Sequence, residues 1–169
     1  MVLAINLNAF DMKTLVYISA IILCLQACKD KKETSEENQT MVITDTTRIN
    51  GVLLKLIDDN GVGKLKITPD KYKLSGNIEV KSPCYFLRYN GKVASYTYPD
   101  FNVQKIIIIL GATKKDRLNK ITGTEIQGLL FKNDSIKIAG VLKNYSPINP
   151  ETGIDEKDYW GLASGIYEK

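Results

Sequence analysis

The chain has 169 residues, of which 44% are hydrophobic and 25% are charged, a composition typical of a globular protein with room for one domain. It contains no histidine, which excludes catalysis by Ser-His-Asp or Cys-His groups and removes the commonest metal ligand. The formal net charge of +4 is modest and the basic residues are scattered, so a nucleic-acid partner is not expected.

The beginning of the chain has the organisation of an export signal. From Met12 the sequence reads Met-Lys-Thr and continues as an uncharged run from Leu15 to Ala27. A basic start, an apolar segment and a small residue at the cleavage point are typical of a signal peptide. The run of thirteen residues is short for a membrane-spanning helix, which needs about twenty. Residues 1–27 are therefore predicted to be a removable signal peptide, with Met12 as its true start.

The sequence Leu25-Gln26-Ala27-Cys28 resembles the lipobox of bacterial lipoproteins. The resemblance implies that the signal is cut before Cys28, that its thiol is diacylglycerylated and that the new amino terminus is acylated. Two or three acyl chains anchor a protein firmly, since each buried methylene contributes about 0.8 kcal/mol. An uncleaved signal anchor and an ordinary secretory signal with a chance cysteine are the alternatives.

Residues 28–40 are predicted to be the lipidated cysteine followed by a disordered tether. After Cys28 the sequence KDKKETSEENQT contains no apolar side chain. As a random coil, these twelve residues would span about 20 Å and lift a domain clear of the lipid headgroups. The charged tether and the Lys/Ile/Asn-rich composition resemble lipoproteins of Bacteroidota. Lys29 stands where many lipoproteins retained at the inner membrane have aspartate, so we expect the outer membrane, facing the periplasm or the exterior.

Residues 41–169 show the pattern of one β-rich globular domain. Asn-Gly pairs recur at short intervals, and apolar residues alternate with polar ones between them. Such alternation is typical of half-buried strands in an antiparallel sheet. Asn90-Gly91 predicts a type I′ hairpin between Cys84–Tyr89 and Lys92–Tyr98, because Asn-Gly readily adopts the positive φ angles of that turn.

Further segments complete the fold prediction. Four consecutive isoleucines in Val103–Leu110 predict a strand buried on both faces, at the centre of the fold. Glu125–Phe131 and Ile136–Leu142 predict a second hairpin, and the alternation in 77–81 predicts another half-buried strand. Thr113–Lys120 is expected to be a solvated turn, since a single apolar residue offers no helical stripe to bury. The predicted fold class is all-β, a small antiparallel β-sandwich or barrel; an α+β fold is the alternative.

Carboxylates are the remaining groups that could carry catalysis. Asp155, Glu156 and Asp158 cluster beside Tyr159 and Trp160. These five residues are a candidate binding site, because clustered carboxylates can ligate calcium or act as an acid/base pair. Their spacing does not match a calcium-binding loop, however, and a solvated acidic turn explains them equally well.

Aromatic side chains form a second candidate surface. They could stack on sugars or on a partner protein. The same residue types are favoured in strands because they pack well on a pleated sheet, so core packing is the alternative. The set comprises Tyr85, Phe86, Tyr89, Tyr96, Tyr98, Phe101, Tyr159 and Trp160.

Cys84 is the only thiol in residues 41–169, which excludes a redox pair or a cysteine zinc cluster within the domain. A buried, unreactive thiol is expected, with an intermolecular disulfide or a reactive thiol as alternatives. No GxxxxGK or GxGxxG motif occurs. No metal site or cofactor is therefore predicted.

Together these features favour a lipid-anchored binding or structural module of the cell envelope. It would contact the membrane through the lipid on Cys28 and hold an envelope protein or a glycan nearby. Two alternatives remain: a carboxylate-based glycan-active enzyme or its accessory, and an inhibitor or immunity-like lipoprotein acting through an exposed loop at Ser146–Lys157. The enzyme is the second hypothesis and the inhibitor the third, and the absence of histidine favours the binding module over the enzyme.

Overall fold

The computed structural model describes residues 41–167, which lie within one compact unit, Gln39–Lys169. The predicted signal peptide, Cys28 and the tether lie outside the described residues. The described part contains a 3₁₀ turn (Pro99–Phe101) and the helix α1 (Glu156–Ser164). Its strands are β1 (Val42–Ile49), β2 (Val52–Asp59), β3 (Val62–Thr68), β4 (Lys73–Ser75), β5 (Tyr85–Phe86), β6 (Arg88–Tyr89), β7 (Lys92–Val93), β8 (Tyr96–Tyr98), β9 (Val103–Gly111), β10 (Lys114–Lys115), β11 (Ile121–Thr122), β12 (Glu125–Lys132) and β13 (Ser135–Leu142).

The first three strands form an antiparallel sheet in the order β1-β2-β3. Both connections are two-residue turns, and all four of their residues have positive φ: Asn50 at 50°, Gly51 at 80°, Asn60 at 52° and Gly61 at 85°. Asparagine and glycine tolerate this left-handed backbone, which is the geometry of a type I′ turn. The Asn-Gly pairs therefore set the register of the whole sheet.

The second sheet has six strands in the order β4-β13-β12-β9-β5, with β8 also paired to β9. Its central pairs are antiparallel, whereas the short β4 runs parallel to β13. Ile106–Gly111 of β9 is buried, which confirms the prediction of a central strand buried on both faces.

Two hydrophobic clusters lie on opposite faces of the six-stranded sheet. On one face Leu54 and Leu56 of the three-stranded sheet pack with Ile107 and Ile109. On the other face the helix α1 packs over the alternate residues of β9, through a cluster that includes Tyr159, Leu162, Ile106 and Ile108. The layers are thus three-stranded sheet, six-stranded sheet and helix. The all-β prediction is confirmed by a mostly β structure with antiparallel sheets, to which α1 adds a helix that was not predicted.

The second predicted hairpin is present, with β12 paired to β13 around the turn at 133–134. The first is present only at its tip, where β6 and β7 pair around Asn90-Gly91. The outer parts of its two predicted strands, β5 and β8, pair instead with the long central strand β9. Thr113–Lys120 is not helical; it supplies β10 and the turn that leads to β11.

The predicted strand over 77–81 is wrong, although its burial pattern is right. Val80 is buried as the alternation requires, yet the segment belongs to no strand. The reason is that side chains of β12 take the place of a backbone partner. The amide of Glu79 donates to Oε1 of Gln127 at 2.9 Å, and the amide of Lys81 donates to Oε2 of Glu125 at 2.8 Å.

Candidate binding site

Helix α1 carries or adjoins all five predicted site residues and places them in different environments. Asp155 is the N-cap residue, with extended backbone, and Gly165, whose φ is +77°, caps the helix after Ser164. Asp155 and Glu156 are exposed. Their charges lie at the helix N-terminus, where the helix dipole favours carboxylates. They can therefore meet a ligand while stabilising the helix.

Asp158, by contrast, is only 5% exposed. Its Oδ2 accepts a hydrogen bond from the Tyr145 hydroxyl at 2.5 Å, and burial followed by this bond raises the pKa of Tyr145 above its ordinary value of 10.0. The three carboxylates consequently do not line one solvent-accessible cleft. Within residues 41–167, no group of three His, Cys, Asp or Glu side chains is placed to hold a metal ion.

Tyr159 is fully buried beneath a row of aromatic rings. Its ring lies 4.6 Å from that of Tyr96, and its hydroxyl has no hydrogen-bond partner among residues 41–167. Burial raises the pKa of this hydroxyl above 10.0. Tyr159 therefore packs beneath these rings and has no exposed surface that a ligand could contact.

The rings above Tyr159 form a continuous partly exposed strip, here called the aromatic surface. The ring centroids of Tyr96 and Tyr98, which are stacked, are 6.5 Å apart. The centroid of Phe101 lies 6.4 Å from that of Tyr98, and the centroid of Trp160 lies 5.8 Å from that of Phe101. Trp160 is 48% exposed, and the other three are half-buried. Alternation along β8 puts both tyrosines on one face, while the 3₁₀ turn and α1 contribute Phe101 and Trp160.

A hydrogen bond ties the aromatic surface to the helix. The Tyr98 hydroxyl donates to the carbonyl oxygen of Glu156 at 3.2 Å. Burial, with the nearby Glu156 charge as a smaller cause, raises the pKa of Tyr98 to about 12. Tyr98 is thus neutral at physiological pH, and its ring is held in a fixed position against the start of α1.

A groove with a volume of about 560 Å³ adjoins the aromatic surface at Tyr96. Its wall includes an exposed ring, hydroxyl groups and one charge of each sign. A polar ligand could stack on the ring and form hydrogen bonds with the other groups. The residues that line the groove include Tyr89, Lys92, Ser95, Tyr96, Thr152 and Asp155.

Sequence reasoning reached only part of this site. Asp155, Tyr89 and Tyr96 are among the predicted candidates, and Thr152 lies in the candidate loop Ser146–Lys157, whereas Lys92 is not predicted. The signal that could have found Lys92 is the Asn90-Gly91 turn directly before it. Nothing in the sequence indicated that the loop containing Thr152 would lie beside that hairpin.

Cys84 is buried, as expected, and is a free thiol. Its Sγ lies 3.6 Å from the carbonyl oxygen of Lys81 and 3.8 Å from that of Val80. Burial raises its pKa from 9.0 to about 11. It lies in the core between the sheets, apart from the aromatic surface.

No family model matches the chain, and no curated protein or solved structure matches it significantly. Among residues 41–167, no helix has the length and apolar character needed to cross a membrane.

Proposed function

We propose that the protein is a lipid-anchored binding module of the bacterial cell envelope. In this proposal Cys28 fixes the chain to the outer membrane, residues 29–40 act as a tether, and the domain presents the aromatic surface to an envelope ligand. The observation that supports it best is the 48% exposure of Trp160 at the end of a row of packed rings. Tryptophan and tyrosine are enriched where proteins bind partners, because they bury much area at little entropic cost.

A glycan is the ligand class that the groove favours. Sugar rings present apolar C–H faces that stack on aromatic side chains, and their hydroxyls need donors and acceptors. Tyr89 is 63% exposed at the groove, and Lys92, Thr152 and Asp155 supply the polar groups. A segment of an envelope protein is the second candidate, favoured by the apolar Phe101 and Trp160 beyond the groove.

Neither alternative function gains support from the same region. For an enzyme, two carboxylates should converge in a cleft, whereas Asp158 is buried and hydrogen-bonded to Tyr145. An inhibitor should present a protruding loop. The segment Ser146–Lys157 instead packs against the domain, with Ile148 and Pro150 buried.

The binding proposal can be tested through the intrinsic fluorescence of Trp160, the only tryptophan in the chain. Envelope glycans, such as peptidoglycan fragments and lipopolysaccharide core oligosaccharides, are titrated into the protein, and Kd is measured. We expect saturable quenching and an affinity about tenfold lower for Tyr89→Ala, which removes the exposed ring of the groove. Leu118→Ala is the matched control, since Leu118 is 76% exposed and lies on the β10–β11 hairpin. Equal affinity of Tyr89→Ala and wild type for every ligand bound would contradict the proposal.

The anchor is tested separately in cells. A clickable fatty acid should label the wild-type protein, and Cys28→Ala should abolish the label. Cys84→Ala is the control and should be labelled like the wild type. Unchanged labelling of Cys28→Ala would show that the lipobox interpretation is wrong.

A further inference from the structure

The outer face of the three-stranded sheet carries an unusual arrangement of charge. Side chains alternate across a strand, so every second residue of β1, β2 and β3 points away from the core. The pairing places Thr46, Lys55 and Lys66 in one cross-strand row. We call this outward side the basic face; its residues include Arg48, Lys55, Lys64 and Lys66, with Ile43 and Ile57 between them.

The charges of this face are poorly compensated. Among the ion pairs of residues 41–167, only that between Lys64 and Asp59 involves the basic face. Lys55 stands directly opposite Lys66, and its neighbour on the other side is the uncharged Thr46. Like charges directly opposite in a sheet are destabilising. An anionic partner at this face would relieve that repulsion.

The opposite side of the domain has the reverse character. Helix α1 covers the face of the six-stranded sheet that lies away from the three-stranded sheet. The exposed carboxylates of Asp100, Asp155 and Glu156 lie there, beside Phe101 and the start of α1. Of these two faces, the basic face is the one suited to a negatively charged surface.

The described part of the chain begins at an edge of the basic face. Met41 and Ile43, at the start of β1, are 63% and 52% exposed. Ile43 pairs with Ile57 on the outward side of the sheet. On the proposed function, residues 29–40 join this edge to a lipid-modified Cys28, so the basic face is the part of the domain held nearest to the headgroups.

We infer that the basic face docks on the anionic phospholipid headgroups of the membrane that carries the anchor. The aromatic surface, on the opposite side of the layered fold, then points away from the membrane toward its ligand. Each basic side chain near an anionic bilayer strengthens binding about fivefold. The attraction is screened beyond about 10 Å, so the tether brings the face into range and the charges hold it there. The inference takes the lipid anchor from the proposed function. The charge of the basic face does not depend on that proposal, because it follows from the strand pairings.

The charge-dependent step can be measured without the anchor. The unit Gln39–Lys169 contains both hydrophobic clusters and the described strand pairings, so it is produced alone. Its binding is measured by co-sedimentation with vesicles of phosphatidylglycerol and phosphatidylcholine, and with pure phosphatidylcholine vesicles. Lys55→Gln/Lys66→Gln should bind the mixed vesicles at least about tenfold more weakly than wild type. Lys114→Gln/Lys115→Gln changes the net charge equally on the exposed β10 and should bind like the wild type.

Three results would overturn the inference: equal binding to both kinds of vesicle, equal loss in the two double variants, or tighter binding to a soluble anionic polysaccharide than to the mixed vesicles. The third would assign the basic face to a different occupant. Circular dichroism is used to check that both variants are folded. We expect the fold to be preserved, because the substituted positions are exposed or half-buried.

Orientation is then measured with the full lipidated chain in nanodiscs that contain a nitroxide-headgroup lipid. A fluorophore is attached at Val62→Cys, on the outward side of β3, or at Lys157→Cys on α1. Cys84 is buried and should remain unlabelled. Stronger quenching at position 62 than at position 157 supports docking, and equal quenching contradicts it. A chain that carries no lipid overturns the proposed anchor, while the vesicle comparison still decides on the basic face.

Discussion

The carboxylate of Asp45 and the guanidinium of Arg88 form a bidentate ion pair with both nitrogen–oxygen distances at 2.7 Å. The same carboxylate accepts the backbone N–H of Phe86 at 2.8 Å. Arg88 donates in addition to the carbonyl oxygens of Phe86 and Thr46, at 3.1 and 3.2 Å. This pair fastens β1 of the three-stranded sheet to the segment that holds β5 and β6. It also fixes the strand that carries Tyr89 into the groove.

Asp45→Asn should lower the free energy of unfolding by about 2–3 kcal/mol, because a largely buried guanidinium loses its charged partner. The side chains of Arg88 and Asp45 are 18% and 12% exposed. Urea unfolding measures the loss. Asp59→Asn is the matched control: its partner Lys64 is 54% exposed, and removing an exposed pair costs about 1 kcal/mol or less. Equal losses in the two variants would contradict the role given to Asp45.

The sequence made the centre of the fold predictable because local rules and tertiary packing agree there. The isoleucines at 106–109 are apolar on both faces of their strand, and only a central position buries both. At Asn90-Gly91 the positive φ angles that the turn requires are the ones these residues adopt most readily. Each prediction needed information from only one stretch of chain.

Helix α1 was missed although weak signals for it exist. Tyr159, Leu162 and Ala163 have the i, i+3, i+4 spacing of a buried helical stripe, and Gly165 stands where a helix commonly ends. The helix is short, however, and Gly161 lies inside it, which lowers its intrinsic propensity. Burial against the six-stranded sheet stabilises it. The same limit applies to the groove, whose walls come from distant parts of the chain.

Gln127 shows how a buried polar side chain replaces a strand. Its amide is 1% exposed; Nε2 donates to the carbonyl oxygens of Ala139 at 2.8 Å and Asn77 at 3.2 Å. Gln127→Leu should lower the free energy of unfolding by about 2–4 kcal/mol, because buried backbone groups lose their partners. Hydrogen exchange at the Glu79 amide, which donates to Gln127, should accelerate. Gln104→Leu, at an exposed position, should change stability by no more than about 0.5 kcal/mol.

Removing one hydroxyl should have opposite effects at two tyrosines. Tyr159→Phe should leave stability unchanged or raise it by about 1 kcal/mol, since the buried Tyr159 hydroxyl has no partner within residues 41–167. Tyr145→Phe should lower stability by about 1–3 kcal/mol, since the buried carboxylate of Asp158 loses its hydrogen bond. Thermal and urea unfolding of both variants measure the difference. A larger loss in Tyr159→Phe than in Tyr145→Phe would mean that the two hydroxyls have been assigned the wrong roles.

Stability should fall as the pH rises above 9, in part because of Cys84. Burial raises the pKa of its thiol from 9.0 in the unfolded chain to about 11 in the folded domain. Below pH 9 both states keep the proton, so the contribution of the thiol is fully present. Between these values the unfolded state releases its proton first, and stability falls by up to about 1.4 kcal/mol per pH unit for this one group.

Cys84→Ala isolates this contribution, because alanine does not titrate and the packing defect it introduces does not depend on pH. The free energy of unfolding is measured by urea titration at pH 7.5, 8.5, 9.5 and 10.5 for wild type and variant. We expect a constant difference up to pH 8.5 that narrows above it, as only the wild type loses the contribution of the thiol. The tyrosines with raised pKa, such as Tyr98, titrate in both proteins, so their effect cancels in the comparison. A difference that stays constant to pH 10.5 would show that the thiol of Cys84 titrates alike in the folded and unfolded states.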